Sequence, residues 1–274
     1  MLNVCVLGSG STGNCIYIAA STHAILVDAG LSGRETERRL VEAGGSTAGI
    51  RAVFLTHEHE DHVATLGLLQ RRHGIGVYAN HDTAVAVEQN LGAGVVNWTV
   101  FGTGYRFELN GWQVDPFSVM HDAQDPVGFR IDTGEGRVAV VTDIGTPTAL
   151  VRERLKGCEV VILECNHDLN LLHESKRPWS VKQRISGRHG HFSNQQASEL
   201  MAEVAGPSLQ VVYLAHLSDE CNRPERAVRT MRTALDLAGF PQVAVELTYP
   251  DRVSRVWMMS PGGWEPVGTP ASPG

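Results

Sequence analysis

Short apolar runs and amphipathic stretches take turns along most of this chain, and the two patterns predict different elements. Runs of roughly four to eight β-branched, aromatic or aliphatic residues bounded by Gly, Asp or Asn read as strands, while apolar positions three and four apart read as helices. Strands are predicted at 2–7, 14–20, 24–28, 52–56 and 77–79, with helices at 33–43, 61–73 and 81–91. A block of strands follows at 98–101, 105–109, 112–119, 127–133 and 137–143. Beyond it come helices at 147–155, 193–205 and 224–238, alternating with strands at 160–164, 211–215 and 243–249. Ser32 and Glu35 have capping-box spacing at the head of the first helix. Two half-domains, each a mixed sheet with helices outside, pack sheet on sheet, so the expected class is α/β, a four-layer αββα sandwich. The plan is a single domain over 1–260 and a flexible tail, rich in Pro and Gly, over 261–274.

The first three strands decide the meaning of Gly8-Ser9-Gly10-Ser11-Thr12-Gly13. The string matches G-x-G-x-x-G, and Asp28 lies 20 residues beyond Gly8, where a dinucleotide fold keeps its ribose-binding acid. That fingerprint works only where its last glycine opens a helix, whose N-terminus binds the pyrophosphate. Here a strand follows, then a turn at 21–23 and another strand, which is the order of a hairpin. The dinucleotide reading is set aside.

Composition narrows the setting. The 274 residues are 42% hydrophobic and 19% charged, as in a globular chain. No apolar stretch approaches the roughly 18 residues of a membrane span, and the N-terminus has neither a basic leader nor a cleavage site, so no membrane partner is expected and the location is cytoplasmic. The five cysteines are scattered without C-x-x-C pairs, which suits reduced thiols. A net charge of -7 opposes non-specific binding to nucleic acid. One segment departs from that average: 175–198 contains no Asp or Glu but carries Lys176, Arg177, Lys182, Arg184 and Arg188, with Trp179 among them.

The densest chemistry is Thr56-His57-Glu58-His59-Glu60-Asp61-His62, at the end of a predicted strand. With 12 histidines in the chain, the frame H-x-H-x-D-H arises by chance about once in a thousand such sequences. His57 and His59 project to one side of an extended segment and can grip one cation, while Asp61 and His62, turning into a helix, face a second. A binuclear site then needs further ligands from later segments. His121, Asp143 and His216 each follow a predicted strand, where open α/β sheets gather their ligands.

With these motifs in place, the chain resembles the metallo-β-lactamase fold superfamily. The motifs carrying the resemblance are Val27-Asp28-Ala29-Gly30, the H-x-H-x-D-H frame, His121, Thr142-Asp143 and Leu214-Ala215-His216-Leu217-Ser218. The resemblance implies His57, His59 and His121 at a first metal, Asp61, His62 and His216 at a second, and Asp143 bridging two divalent ions, Mn2+ or Zn2+. It puts Asp28 behind the ligands, orienting a histidine or the loop below it. Leu163-Glu164-Cys165-Asn166-His167-Asp168 and Gly190-His191-Phe192-Ser193-Asn194-Gln195-Gln196-Ala197 are similar to the YycJ/WalJ-like branch, whose members are regarded as DNA nucleases, and share features with ribonuclease Z. Where ribonuclease Z has His-Glu-Ala-Thr, this chain has Leu163-Glu164-Cys165-Asn166, and no long arm for transfer RNA is apparent.

The function this implies is a binuclear metal-dependent phosphodiesterase acting on DNA, single- or double-stranded at its ends, read as a 5'-3' exonuclease. A hydroxide shared by the two ions attacks phosphorus, His191, polarised by Glu164, protonates the leaving oxygen, and Asp61 belongs to the catalytic set. Ser11, Asn14, Asn166, His167 and Ser193 are expected to contact substrate. Lys176, Arg177, Lys182, Arg184 and Arg188 would lead the phosphate backbone to His191, with Lys182, Arg184 and Arg188 as the substrate-binding set and Trp179 stacking on an end base. The N–H groups of the glycine loop are candidates for a phosphate of the cleaved strand. A homo-oligomer is left open. The alternative is a hydrolase of the same fold that opens a thioester, lactone or small phosphoester, like glyoxalase II.

Overall fold

Side chains alternate across the first strand and thereby sort the layers. In β1 (Asn3–Gly8), Val4 and Val6 face a core between two sheets, while Cys5 and Leu7 face a core beneath helices. The computed structural model describes residues 1–20, 23–260 and 262–267. After β1 come β2 (Cys15–Ala20), β3 (His23–Val27), α1 (Gly33–Glu42), β4 (Ile50–Phe54), α2 (Glu60–Val63), α3 (Leu66–His73), β5 (Gly76–Asn80), α4 (His81–Leu91) and β6 (Trp98–Phe101). The second half opens with β7 (Phe107–Leu109), β8 (Trp112–Ser118), β9 (Val127–Asp132), β10 (Arg137–Val141), α5 (Ala149–Leu155) and β11 (Val160–Glu164). It continues with α6 (Leu169–Glu174), α7 (Trp179–Ile185), α8 (Asn194–Val204), β12 (Val211–Ala215), α9 (Pro224–Leu237) and β13 (Ala244–Leu247), and β14 (Val256–Ser260) and β15 (Gly263–Val267) return to the first sheet.

Among the described residues one sheet runs β15-β14-β1-β2-β3-β4-β5-β6 and the other β13-β12-β11-β10-β9-β8-β7. One buried cluster fills the space between the sheets and two others lie beneath the helices, so the αββα sandwich is present. β1, β2 and β3 pair antiparallel, which is the hairpin order that removes a dinucleotide site. Of the turn expected at 21–23, residues 21 and 22 lie outside the described residues. No helix among the described residues is long and apolar enough to cross a membrane.

Three expectations change. The helix over 61–73 is two helices, because Asn14 N–H takes the Asp61 carbonyl (2.7 Å) and Thr65 N–H turns to Ala29 O (3.0 Å). The acid-free segment, given no helix before residue 193 by its sequence, contains α7. Within the expected tail, Gly263–Val267 pairs with β14, while 261 and 268–274 lie outside the described residues.

The inter-sheet core anchors the catalytic edge. Phe54, fully buried, meets the rings of Tyr78, Phe107 and Phe129 at 5.3, 5.6 and 5.6 Å and stands just before Leu55-Thr56-His57. Phe54→Ala is expected to lower unfolding stability by about 3–5 kcal/mol in urea titrations. A loss below about 1 kcal/mol would show that this cluster does not carry the sandwich.

Candidate metal centre

Six strand ends converge on one side of the sandwich. Asp28 follows β3, His57 follows β4, His121 follows β8, Asp143 follows β10, Glu164 ends β11 and His216 follows β12. Asp28 and His216 have φ of 62° and 56°, a left-handed conformation uncommon outside glycine. That strain turns each side chain away from its strand direction at the sheet edge.

All seven expected ligands meet there. The ligating atoms of His57, His59 and His121 lie within 4.8 Å of one another, as do those of His57, His62 and Asp143, and those of Asp143, Glu164, His191 and His216. Asp143 stands between the groups, with Oδ2 3.3 Å from His62 Nε2 and Oδ1 3.7 Å from His121 Nε2. Asp61 Oδ2 lies 3.5 Å from His62 Nε2 and 3.6 Å from His216 Nε2.

The donors fit divalent cations. Buried His121 Nε2 and Asp143 Oδ2 have no hydrogen-bond partner, which is costly unless a cation takes the lone pairs. His57 Nε2 and His59 Nδ1 face each other at 3.0 Å. Nitrogens held 2.0–2.1 Å from a tetrahedral ion lie about 3.4 Å apart, so the spacing is close to that of ligands on one ion. Burial pushes His57 well below the ordinary histidine value and His59 below it, which keeps both rings neutral and able to bind metal.

Three of these histidines are aimed by a group behind them. Asp28, fully buried, accepts from Thr56 N–H (2.9 Å) and from His62 Nδ1–H (2.8 Å), which leaves His62 Nε2 for the cavity. His121 Nδ1–H donates to the Gly190 carbonyl at 3.1 Å. A side chain at Gly190 would put Cβ 2.2 Å from the Arg184 and Ile185 carbonyl oxygens, so only glycine fits this turn. Glu164 Oε2 accepts from Ile144 N–H (2.9 Å) and Phe192 N–H (3.0 Å). Its Oε1 lies 2.6 Å from His191 Nδ1 and 3.0 Å from His216 Nδ1. Burial alone would raise the Glu164 carboxyl, but the charge and hydrogen bond of His191 hold it below its ordinary value. Burial would likewise depress His191, and Glu164 raises it above the ordinary histidine value. Each member of the pair thus favours the charged form of the other, carboxylate beside imidazolium.

The glycine loop is scaffold. Ser9 N–H donates to Tyr249 O, Gly10 N–H to Asn14 Oδ1 and Gly13 N–H to Gly10 O. With these three donors occupied internally, only the remaining N–H groups of the loop are left to meet a phosphate. Ser9 Oγ instead accepts from His216 N–H at 2.8 Å, and Asn14 Nδ2 donates to Asp61 Oδ2 at 3.0 Å.

The residues expected to touch substrate divide. Ser11 and Asn166 line a cavity of about 250 Å³ beside His191 and His216. Asn14, Ser193 and His167 are buried: Asn14 holds Asp61, Ser193 caps α8, and His167 is fully enclosed. The basic segment is not bare of acid in space. Arg184, 70% exposed, pairs with Asp122 at 2.7 Å, and Arg177 pairs with Glu220 at 2.8 Å. Lys182 Nζ donates to His173 O, Arg188 is exposed without an ion-pair partner among the described residues, and Trp179 is 64% exposed outside the cavity lining. Arg177 of the basic segment and Ser218 of the His216 motif also line the cavity, and Glu220 joins them unforeseen, because nothing local in the sequence marks residues paired across 43 positions.

Fold and ligand geometry together define a metal-binding hydrolase of the metallo-β-lactamase type. Residues 23–217 match the family model described as Beta-lactamase superfamily domain, and the chain belongs to that family. It is 35% identical over 240 residues to exodeoxyribonuclease YycJ of Bacillus anthracis, covering 87% of this chain and 91% of that protein. It is 34% identical over 229 residues to exodeoxyribonuclease WalJ of Streptococcus pneumoniae, covering 82% and 85%. Among solved structures, the metallo-beta-lactamase fold protein YhfI from Bacillus subtilis superposes with a TM-score of 0.70 at 17% identity, covering 92% of this chain and 98% of that one. YhfI supports the fold alone.

His167 sets a pH-dependent stability. Neither ring nitrogen has a hydrogen-bond partner among the described residues, and burial pushes the group down to about 4. A folded pKa below the unfolded value of about 6.5 leaves stability unaffected above that pH and removes it as pH falls toward 4, by about 3 kcal/mol in all. His167→Phe should flatten this part of the acid limb when urea midpoints of both proteins are compared from pH 7 to 4. Parallel curves would place the titration elsewhere.

Proposed function

We propose that the protein is a nuclease that uses two divalent ions, Mn2+ or Zn2+, to hydrolyse DNA from its ends in the 5'-3' direction. The observation that carries this reading is the Glu164–His191 pair, at 2.6 Å, set beside the ligand cluster and open to the cavity that Ser11 and Asn166 line. The names of the relatives support DNA as the substrate. His57, His59 and His121 would hold one ion, Asp61, His62 and His216 the other, and Asp143 would lie between. Bound there, such ions activate water and offset charge on the phosphate oxygens.

The chain's own groups perform the rest. His191 Nδ1–H is fixed by Glu164, so the proton at Nε2 faces the cavity and is delivered to the departing sugar oxygen. Asn166 Nδ2–H holds the His216 carbonyl at 2.8 Å and keeps that strained residue in place. Arg177 and Arg184 can exchange their carboxylate partners for phosphate, since exposed ion pairs are worth little. A cytoplasmic setting accords with five buried cysteines that are all free thiols. Oligomerisation stays outside this proposal, because the ligand groups arise within a single chain.

End-labelled single- and double-stranded DNA, RNA and a thioester, each assayed with Mn2+ and with Zn2+, test the reading. DNA should be shortened from the 5' end, and EDTA or His59→Ala should abolish the activity. Turnover of the thioester with no nucleic acid cleaved would replace the nuclease by a small-molecule hydrolase. Charge reversal at Arg184 and Arg188 should weaken DNA binding and reduce the slope of log affinity against log salt by about one for each lost phosphate contact. An unchanged slope would remove this segment from the DNA path.

A further inference from the structure

The segment after His216 separates two cavities. Leu217, Ser218 and Asp219 line the pocket of about 250 Å³ that contains His191, and the same three residues line a neighbour of about 180 Å³. Each is smaller than the roughly 300–1,000 Å³ of a site for a drug-sized ligand, and only the two together reach that range. Their sizes suit two parts of one molecule.

The second cavity differs in chemistry from the first. Pro224, Tyr249 and Pro250 form apolar walls, and the Arg252 guanidinium lies 3.8 Å from the centroid of the Tyr249 ring. Its polar groups do not suit phosphate. Arg223 directs Nη1 at the backbone carbonyls of Asp219, Glu220 and Asn222, and the Asp219 carboxylate brings negative charge to the rim. The Ser9 and Thr248 hydroxyls donate to Asn14 Oδ1 and to the Leu214 carbonyl. A flat, uncharged ring with a polar edge matches such walls, because its face stacks on an aromatic ring while its edge meets the polar rim.

We propose that this cavity is a nucleobase site, which holds the base of the nucleotide adjoining the phosphodiester in the His191 pocket, with Tyr249 as its stacking platform on the ring face opposite the Arg252 guanidinium. The site rests on the nuclease reading above. A base lodged there has left the helical stack, so the strand end bound is single or frayed. The glycine loop gains a second role, since Ser9 walls the base cavity and Ser11 the reaction pocket.

The test uses single-stranded oligonucleotides with an abasic residue placed in turn at each of the first positions from the cleaved end. Wild type, Tyr249→Phe and Tyr249→Leu are assayed with Mn2+, and wild type is also given bis(p-nitrophenyl) phosphate, a diester without a base. Wild type and Tyr249→Phe should lose about 10- to 100-fold in kcat/KM when one particular position is abasic. Tyr249→Leu should lose a similar factor on intact DNA and little more on that abasic substrate. An abasic penalty that survives in Tyr249→Leu, or wild type indifferent to every abasic position while still cleaving DNA, overturns the base site alone. Wild type that hydrolyses neither DNA nor the base-free diester overturns the nuclease reading, and the base site with it.

Discussion

Three carboxylates buried at the sheet ends, Asp28, Asp143 and Glu164, set the terms for everything around them. A buried carboxylate is tolerated only when hydrogen bonds and opposite charge replace its lost water. Asp28 is satisfied by Thr56 and His62, Glu164 by two backbone N–H groups and by His191 and His216. Asp143 is the exception, with Oδ2 lacking a hydrogen bond and facing His62. The unsatisfied member of the three is the one placed where a cation would lie between two histidine groups.

This arrangement explains why so much of the chain between the strands is fixed. Asn14 and Thr65 split the helix after the H-x-H-x-D-H frame, and the same Asn14 orients Asp61. Gly190 supports His121 through its carbonyl and leads directly to His191, so one turn serves both the candidate ligand set and the proposed proton donor. At Gly30 a Cβ would stand 1.7 Å from the Asp61 carbonyl oxygen, which makes the glycine a packing requirement of the site. Of the three non-glycine residues with left-handed backbone among those described, Asn110 lies in the turn between β7 and β8, and the other two, Asp28 and His216, lie in the cluster.

Much of this was legible in sequence. Period-two apolar runs located the strands, and a residue placed just after a strand is placed at the sheet edge, so the position of His121, Asp143 and His216 on that edge could be read from order alone. What sequence could not convey was partnership across distance. Helix periodicity over 61–73 was sound locally, and tertiary hydrogen bonds from Asn14 and Ala29 overrode it. The segment from 175 to 198 reads as uncompensated charge along the chain, yet Asp122 and Glu220 arrive from other strand ends to pair with it. His167 and Ser193 sit inside a chemically suggestive motif, but burial gives them to the core and to a helix cap.

The central claim is that His191, held by Glu164, protonates the leaving group, and leaving-group dependence tests it most directly. The rate penalty of His191→Ala should be compared on DNA and on a p-nitrophenyl ester of a nucleotide, whose leaving group departs without a proton. The account predicts a loss of about 10²–10⁴ on DNA and less than about tenfold on the aryl ester, with metal content unchanged. An equal loss on both substrates, or loss of metal, would contradict it.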